Sequence, residues 1–421
     1  MNCKLKDVLA DKGYIRGPFG SALKRNEMKE QGIPVYEQQN AIYNSRDFRY
    51  FIDNEKFKSL SRFQVATNDL IVSCSGTVGK VSIIREEDCK GIISQALLIL
   101  RPNTNKIIPK YLYYFFLSSK GYNSIISRSS GSVQVNIAKR DIIENIELEV
   151  PSLEIQQKVV DILSSLDDKI ELNNQMNETL EEMAQALFKR WFVDFEFPNE
   201  EGKPYKSSGG EMVESELGMI PKGWNIKLAS EVVDVKDGTH ASPKVVNEGY
   251  PLITSKHING DRLRIEEANL ISETDYVEVN KRSKVDTGDI LISMIGTVGL
   301  LYYVQDLDVN FAIKNLGLFK TSKTVEMQEY IYLYLKQTSM KNYIECRLAG
   351  TTQKYISLTE LRKIPVLLPT CDLLHTFKEK IEPLLKMKQE NINQNQSLVN
   401  IRSTLLPKLM SGEIRVSDFE S

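Results

Sequence analysis

The chain has 421 residues, of which 41% are hydrophobic and 26% are charged, and its formal net charge at pH 7 is −2. This composition is typical of a folded protein with more than one core and excludes a disordered chain. No apolar run approaches the roughly 18 residues that span a bilayer, and the start of the chain shows no signal-peptide pattern. We therefore expect a cytoplasmic protein without membrane contact.

Metal-ligating and disulfide-forming residues are sparse. The five cysteines are scattered without a Cys-x-x-Cys pair, and the chain has three histidines. Neither a disulfide framework nor a metal site is expected. The near-neutral charge means that any DNA-binding surface has to be a local patch, offset by acidic surface elsewhere.

Residues 1–151 predict a first α/β domain. Short strand-like runs cover residues 69–74, 81–84 and 96–100, and a helix is expected around residues 109–119. An alternating strand at residues 146–151 closes this domain.

Residues 152–193 predict one long helix, because apolar residues recur at steps of three and four without an interrupting glycine or proline. Residues 194–223 are rich in proline, glycine and serine, which is typical of an exposed linker. Asp194 and Glu196 form a carboxylate pair there, but no lysine lies at nuclease spacing, and we interpret them as surface residues.

The second half of the chain repeats the first. Gly76-Thr77-Val78-Gly79 returns as Gly296-Thr297-Val298-Gly299 with a shift of 220, for example 296 minus 76, and Gly131 returns as Gly350 with a shift of 219. Residues 224–369 therefore predict a second domain like the first, and residues 370–421 a second long helix. Pro383 should kink this helix or mark its first turn.

The two long helices are expected to pack together as an antiparallel coiled coil, because two equivalent halves joined through the same surface are most simply related by a pseudo-twofold axis. The predicted fold is α+β, with two similar α/β domains separated by the helix pair. The seam is expected to comprise Val159, Leu163, Leu166, Asn173, Asn177, Leu180 and Leu187 of the first helix, with Phe377, Ile381, Leu384, Asn391, Asn395, Leu398 and Leu405 of the second.

The asparagines of this seam have two interpretations. Buried asparagine in a seam costs stability but fixes the register of the helices. Alternatively, Asn173, Asn177, Asn391 and Asn395 are solvated, and the sequence leaves both interpretations open.

No catalytic motif is found. Gly76-Thr77-Val78-Gly79-Lys80 superficially suggests a phosphate-binding loop, but Cys74 and Val81 stand where such a loop needs glycine and a hydroxyl residue. In the repeat, Leu300 replaces the lysine. A tight turn between two strands is the better interpretation.

Polar, glycine-rich loops remain as candidates for contact with DNA, because small hydroxyls, amides and cations contact phosphates and base edges. Residues 127–134, followed by Lys139 and Arg140, form one such loop, and residues 347–354 form its repeat. The alternative is solvated loops near strand ends. The candidates are Ser21, Gln39, Thr77, Lys80, Arg128, Ser130, Ser132, Gln134 and Asn136 in the first domain, with His240, Lys256, His257, Thr297, Thr351, Thr352, Gln353 and Lys354 in the second.

The repeat sorts these candidates. Positions that are equal in both halves are expected to serve folding or backbone contact. Positions that differ within matched loops are the better candidates for reading bases, and they are Ser132, Asn136, Lys354, His240 and His257.

The ordered combination of motifs resembles the specificity subunit of type I restriction-modification systems. It consists of a first domain, a helix ending Leu187-Phe188-Lys189-Arg190-Trp191-Phe192, an entry Ile220-Pro221-Lys222-Gly223-Trp224 to a second domain, and a helix ending Leu405-Leu406-Pro407-Lys408-Leu409. The resemblance covers essentially the whole chain, although the first domain lacks the Pro-x-Gly-Trp entry. It implies two target recognition domains, each reading one half of a split double-stranded DNA sequence.

The resemblance also implies the partners. Two DNA-methyltransferase subunits would bring S-adenosylmethionine and methylate adenine, and restriction subunits would bring ATP- and magnesium-dependent translocation and cleavage. This chain would then hold no cofactor, no metal and no catalytic residue. The alternative is a coiled-coil scaffold with two domains that bind protein or glycan, which composition alone does not exclude.

Overall fold

The chain folds into two compact units, and the computed structural model describes residues 2–127, 136–306 and 308–415. The first unit comprises Met1–Glu171 with Gln396–Ser421, and the second comprises Leu172–Asn395. Because each long helix crosses this division, both helices contribute to both units.

The first unit contains nine strands and six short helices among its described residues. The strands are β1 (Asn2–Lys4), β2 (Leu9–Arg16), β3 (Ile33–Tyr36), β4 (Phe51–Ile52), β5 (Leu70–Ser73), β6 (Val81–Ile83), β7 (Ile92–Ile93), β8 (Leu97–Pro102) and β9 (Glu147–Glu149). The helices are α1 (Leu5–Val8), α2 (Gln38–Ile42), α3 (Asn54–Ser59), α4 (Pro109–Leu117), α5 (Ser119–Ile126) and α6 (Arg140–Glu144). The first long helix, α7 (Leu153–Phe192), follows.

The remaining chain begins with a hairpin and ends with the second long helix. Its strands are β10 (Met212–Ser215), β11 (Gly218–Pro221), β12 (Asn225–Leu228), β13 (Val235–Asp237), β14 (Tyr250–Ile253), β15 (Ile258–Asn259), β16 (Arg262–Leu263), β17 (Asn269–Ile271), β18 (Ile290–Ser293), β19 (Leu301–Tyr303), β20 (Ala312–Ile313), β21 (Leu316–Phe319) and β22 (Pro365–Leu368). Its helices are α8 (Ala229–Val232), α9 (Glu273–Ser283), α10 (Gln328–Lys336), α11 (Thr338–Glu345), α12 (Leu358–Arg362) and α13 (Cys371–Ser411).

The two units share one sheet topology. Each has a four-stranded antiparallel sheet, in the order β2-β8-β5-β6 in the first unit and β13-β21-β18-β19 in the second. Each also has a three-stranded sheet, β4-β3-β7 and β17-β14-β20, in which one neighbouring pair is parallel. A two-stranded pair, β1-β9 and β12-β22, closes each domain. The duplication inferred from the sequence therefore extends to strand order and direction.

The central strands are buried on both faces, which explains their continuous apolar sequence. All four residues of β5 and all four of β18 are buried. Against these sheets pack α4 and α10, whose inward faces carry aromatic and leucine residues such as Phe115, Phe116 and Tyr330. Each domain therefore has its own apolar core.

The long helices pack against these cores near the ends of the pair. Val159 and Leu163 of α7 join the first core together with Leu409 of α13. Phe377 and Ile381 of α13 join the second core. The sequence predicted that the two helices pack together through their apolar residues. That expectation is incomplete, because the domains cover much of their apolar surface.

The middle of the helix pair is held by amides. The Asn173 Nδ2 donates to Gln394 Oε1 at 2.7 Å and to Asn395 Oδ1 at 2.8 Å, and Asn391 Nδ2 donates to Asn177 Oδ1 at 3.0 Å. Because residues 173 and 177 contact residues 395 and 391, the helices run antiparallel here.

Burial of the predicted seam is uneven. Asn173 is fully buried, so the solvated interpretation does not hold for this residue. Leu180 is also buried. The half-buried seam positions are Leu166, Asn177, Leu187, Leu384, Asn391, Asn395, Leu398 and Leu405.

In each unit, charged residues join the helix pair to the domain. In the first unit, Asp167 of α7 accepts from Tyr114 Oη at 2.7 Å and is ion-paired with Arg402 of α13. In the second unit, Lys388 of α13 contacts Glu181 of α7 at 2.7 Å and Asp261 at 2.5 Å. Burial alone would raise the pKa of Asp261, but the ammonium groups of Lys336 and Lys388 hold it at about 2.

Two expectations about the helices and the linker require correction. Pro383 does not mark the first turn of α13, which begins at Cys371, and the proline lies exposed within the helix. Residues 194–223 are not a simple exposed linker. Phe197 is buried between Tyr205 and Trp224, with ring centroids 4.5 and 5.2 Å away, and Ile220 of β11 is also buried.

Candidate nucleic-acid interface

The glycine turn that follows the central strand has the same geometry in both units. In the first, Gly79 N donates to Ser73 O at 2.9 Å and Lys80 N donates to Ser73 Oγ at 2.9 Å. In the second, Gly299 N and Leu300 N make the same two bonds to Ser293, at 3.0 and 2.8 Å. The serine at the end of the strand thus accepts hydrogen bonds from two backbone N–H groups of the turn. This arrangement fits the turn predicted from the sequence.

Both turns require glycine. The φ angles of Gly76 and Gly79 are +65° and +81°, and those of Gly296 and Gly299 are +81° and +88°. Residues that carry a side chain rarely adopt this left-handed backbone conformation, which glycine adopts without steric cost. The tip residues Thr77 and Thr297 are exposed, and so is Lys80, whose Nζ lies 4.7 Å from the centroid of the Tyr122 ring.

The turn lies beside the end of the second predicted loop in each unit. In the first unit, Ile137 N donates to Cys74 O at 2.9 Å, and Ser75 Oγ donates to Asn136 Oδ1 at 2.7 Å. In the second, Ile356 N donates to Met294 O at 2.9 Å. Two loops that are about 60 residues apart in sequence therefore meet on the same edge of the structure.

In the second unit the loop at residues 349–355 forms a tight hairpin. Ala349 and Tyr355 exchange backbone hydrogen bonds of 2.9 Å, and Gly350 has a φ of +90°. The side chains of the loop tip are exposed, and they are Thr351, Thr352, Gln353 and Lys354. The first-domain candidates Arg128, Ser130, Ser132 and Gln134 lie outside the described residues.

A third pair of segments begins where β3 and β14 end. Asn40 Oδ1 accepts from Glu37 N at 2.7 Å, and His257 Nδ1 accepts from Thr254 N at 2.9 Å. Asn40 is fully buried and His257 is 9% exposed. Burial lowers the pKa of His257, which favours the neutral ring that accepts this bond. The expectation that His257 reads bases is therefore not supported, because its ring caps a buried turn.

The neighbours of these two caps differ in exposure. Gln39 is half-buried and its Nε2 donates to Asp47 O at 3.2 Å, whereas Lys256 is exposed. Gln38 reaches across to the glycine turn, with Nε2 bonded to Ser75 O and 3.4 Å from Thr77 O. Sequence reasoning missed this residue, because a contact between segments nearly 40 residues apart leaves no local pattern.

The fourth pair of segments follows β2 and β13. A Cβ at Gly17 would lie 2.0 Å from Ser94 O, and a Cβ at Gly238 would lie 2.4 Å from Ile313 O, so both positions admit only glycine. Ser21 lies in a short 3-10 turn, Gly20–Ala22. This segment packs on the carbonyl that follows β7 or β20, next to the third pair of segments.

His240 in this fourth pair is exposed and belongs to a polar network. Its Nε2 lies 2.9 Å from Asp237 Oδ2 and its Nδ1 lies 2.8 Å from Asn315 Oδ1. Arg282 Nη2 donates to Asp237 Oδ1 at 2.6 Å. The carboxylate is therefore engaged by two partners, and His240 is oriented by its neighbours while its outer edge remains accessible.

Other kinds of site find little support in the part of the chain that the structure describes. Within residues 2–127, 136–306 and 308–415, no group of three or more histidine, cysteine, aspartate or glutamate side chains is arranged to hold a metal ion. Within the same ranges, no helix combines the length and apolar character needed to cross a membrane.

This geometry matches a known family. The model of the type I restriction modification DNA specificity domain matches residues 4–182 and again residues 221–398. The two matches cover most of the chain, one for each repeat. The chain therefore belongs to the type I restriction-modification DNA specificity family.

Individual relatives agree with this assignment. The chain is 30% identical to the type I restriction enzyme MjaIX specificity subunit of Methanocaldococcus jannaschii, over 99% of this chain and 93% of that protein. It is 26% identical to the HindI specificity subunit of Haemophilus influenzae, over 77% of this chain and 81% of that protein. The crystal structure of the type I S subunit from M. genitalium has the same fold, with a TM-score of 0.59 at 15% identity, covering 97% of this chain and 95% of that one.

Proposed function

We propose that each of the two domains reads one half of a bipartite double-stranded DNA target, and that the antiparallel helices fix the spacing between the halves. One observation carries this proposal: two domains that share strand order and register place equivalent glycine turns beside the ends of equivalent polar loops, at Ile137 and Ile356. Loops on a rigid sheet are the usual position for recognition residues, because the scaffold holds them while their sequence varies.

The helix pair supports a spacing role. In the observed alignment of α7 and α13, two asparagines of each helix pair with each other, Asn173 with Asn395 and Asn177 with Asn391. A shift of one helix turn would leave Asn173 buried without these partners, at a cost of about 1–3 kcal/mol. The helices are therefore suited to hold one fixed length.

Catalysis is assigned to partner chains. We propose that two methyltransferase subunits supply S-adenosylmethionine and methylate adenine, and that restriction subunits supply ATP- and magnesium-dependent cleavage. The chain's own residues then bind and position the DNA, and no catalytic or cofactor-binding residue is assigned to this chain. The family match and the names of its relatives as specificity subunits support this division.

Binding to duplex DNA tests the proposal directly. A gel shift of the full-length chain on duplex DNA, with and without methyltransferase subunits, should show binding that weakens as salt rises. Binding of a protein or glycan partner instead, with no DNA shift in either condition, would favour a scaffold and contradict the proposal.

The second-domain loop separates two kinds of contact. We assign the exposed tip, residues 351–354, to contact with DNA. In Gln353→Ala or Lys354→Ala, loss of a base contact should relax the preference at one base position, whereas loss of a phosphate contact should weaken binding to all sequences alike and flatten its salt dependence. A panel of half-site variants measures both effects. Unchanged binding of both variants would remove this loop from the interface.

A further inference from the structure

A groove in the first unit carries several cations and few carboxylates. It runs between the end of β2 and residues 137–140, and its lining includes Tyr14, Arg16, Phe19, Arg62, Lys139 and Arg140. Here it is called the basic groove. Residue 137 at its edge is bonded to Cys74, so the basic groove adjoins the glycine turn described above.

Three of the four cations of the groove are not neutralised by the protein. Arg140 is paired with Glu144 at 2.8 Å. Among the described residues, Arg16, Arg62 and Lys139 have no carboxylate partner, and the buried Arg16 Nη1 has no hydrogen-bond partner. A buried guanidinium nitrogen without a partner is costly, and an anion in the groove would satisfy it.

Aromatic rings lie among these cations. Phe19 is 58% exposed, and the guanidinium carbon of Arg16 lies 5.8 Å from its ring centroid. Arg140 lies 5.3 Å from the centroid of Tyr14. The exposed ring of Phe19 beside the unpaired Arg16 can contact the C–H groups of a deoxyribose, while the cations of the groove attract the adjoining phosphates.

The second unit lacks this combination. The strand register places Asp237 at the position of Arg16, because Arg16 pairs with Leu98 and Asp237 pairs with Gly317 in equivalent sheets. Three residues further on, His240 replaces Phe19. Leu358 and Thr359 replace Lys139 and Arg140 at the same distance from the bonded isoleucine. Arg282 corresponds to Arg62 at the shift of 220, but it is paired with Asp237 at 2.6 Å. The unpaired cations of the groove are therefore specific to the first domain.

We infer that the basic groove binds the sugar-phosphate backbone of DNA, and that the first domain contributes this sequence-independent part of the affinity. The inference rests on the proposed function and names the contact that one domain makes. Backbone contacts position a protein on DNA without selecting bases. The groove thus anchors the chain while the loops select the sequence.

The test removes Arg62 and Lys139, the two exposed cations of the basic groove that have no carboxylate partner among the described residues. Full-length chain with its methyltransferase partner is titrated with a random-sequence duplex over a salt series, and Arg62→Ala/Lys139→Ala is compared with the unmodified chain. The plot of log affinity against log salt should lose about 0.9 of its slope for each phosphate contact removed, and affinity at low salt should fall at least about tenfold. Lys203→Ala/Lys222→Ala is the matched control, because it removes two exposed, ion-paired lysines of the connector.

The outcomes separate the groove from the proposed function. An unchanged salt slope in Arg62→Ala/Lys139→Ala, with salt-dependent binding by the unmodified chain, would overturn the basic groove and leave the proposed function intact. A relaxed preference at one base position would overturn the backbone assignment. Failure of the unmodified complex to bind duplex DNA would overturn both. Arg16→Ala and Arg16→Lys extend the test, and a thermal unfolding scan of each shows whether the fold is retained.

Discussion

At the scale of single residues, two different side chains cap the same turn in the two halves. Asn40 and His257 occupy equivalent positions, and each accepts a backbone hydrogen bond from the residue three positions earlier. Polar neighbours in the sequence placed Gln39 and His257 among the exposed candidates. Burial followed from the position of the turn under the sheet, which the local sequence does not contain. The capping pattern was the available indication.

His257 should make the stability of the second unit depend on pH. Its pKa is lowered in the folded chain, so the unfolded chain binds more protons and stability falls as pH falls below about 6.5. The loss should reach at most about 1.4 kcal/mol per pH unit until the folded pKa is passed. His257→Asn installs the residue of the first domain and should remove this dependence while keeping the cap.

Urea unfolding at pH 7, 6 and 5 measures this effect through tryptophan fluorescence, because Trp191 and Trp224 both lie in the second unit. His375→Asn is the control, since that imidazole is exposed on α13. Equal pH dependence in His257→Asn and the unmodified chain would exclude a cap that requires a neutral ring.

Asn173 gives the second prediction at this scale. Asn173→Ala leaves the partners of a buried amide unpaired, so the second unit should lose about 1–3 kcal/mol of unfolding free energy. Asn174→Ala, one residue further along α7, removes one exposed hydrogen bond, from Asn395 Nδ2 at 2.9 Å, and should cost less than about 1 kcal/mol. Urea unfolding followed by tryptophan fluorescence compares the two variants. Similar losses would mean that burial of Asn173 adds nothing to stability.

At the scale of elements, the repeat predicted much of the architecture. Matching shifts of 219 and 220 were enough to infer two domains, two long helices and an antiparallel arrangement, because duplication constrains the fold more strongly than propensity does. The same reasoning did not show that the helix ends join the domain cores. Helical periodicity indicates which face is apolar but not which element covers that face.

The connector at residues 194–223 shows a second limit. Its prolines and glycines are typical of a linker, yet Phe197, Tyr205 and Trp224 stack on one another and anchor it. The overall composition of the connector does not reveal these three aromatic residues, because turns separate them in the sequence. Their contacts depend on where the chain leaves α7.

Removal of the Phe197 ring, which lies between Tyr205 and Trp224, tests whether the connector contributes to the stability of the second unit. Phe197→Ala should lower the unfolding free energy of the second unit by about 3 kcal/mol, because a buried aromatic ring is replaced by a cavity. Leu217→Ala lies in the turn of the β10-β11 hairpin, where Leu217 is 50% exposed, and should change it by less than about 0.5 kcal/mol. Thermal unfolding of both variants provides the comparison. A Phe197→Ala variant as stable as the unmodified chain would restore the simple linker.

For the whole molecule, the two halves share a scaffold and differ in the surfaces that face a ligand. The sheets, glycine turns and capping positions are equivalent, whereas Arg16 is replaced by Asp237 and Phe19 by His240. Among the shared positions, Gly76, Gly79, Gly296 and Gly299 adopt the positive φ angles that the turns require. The contacts among the candidate segments depended on strand pairing between distant residues and became visible only in the structure. This division is expected of one protein that reads two different half-sites.

Exchange of one domain tests whether each domain reads one half of the target while the helices fix the gap. Residues 224–369 are replaced by the corresponding domain of another family member, and the methylated sequence is determined in cells that supply the methyltransferase subunit. We expect a bipartite adenine-methylated motif in which one half changes while the other half and the gap stay the same. A change in both halves, or a single uninterrupted motif before and after the exchange, would contradict it.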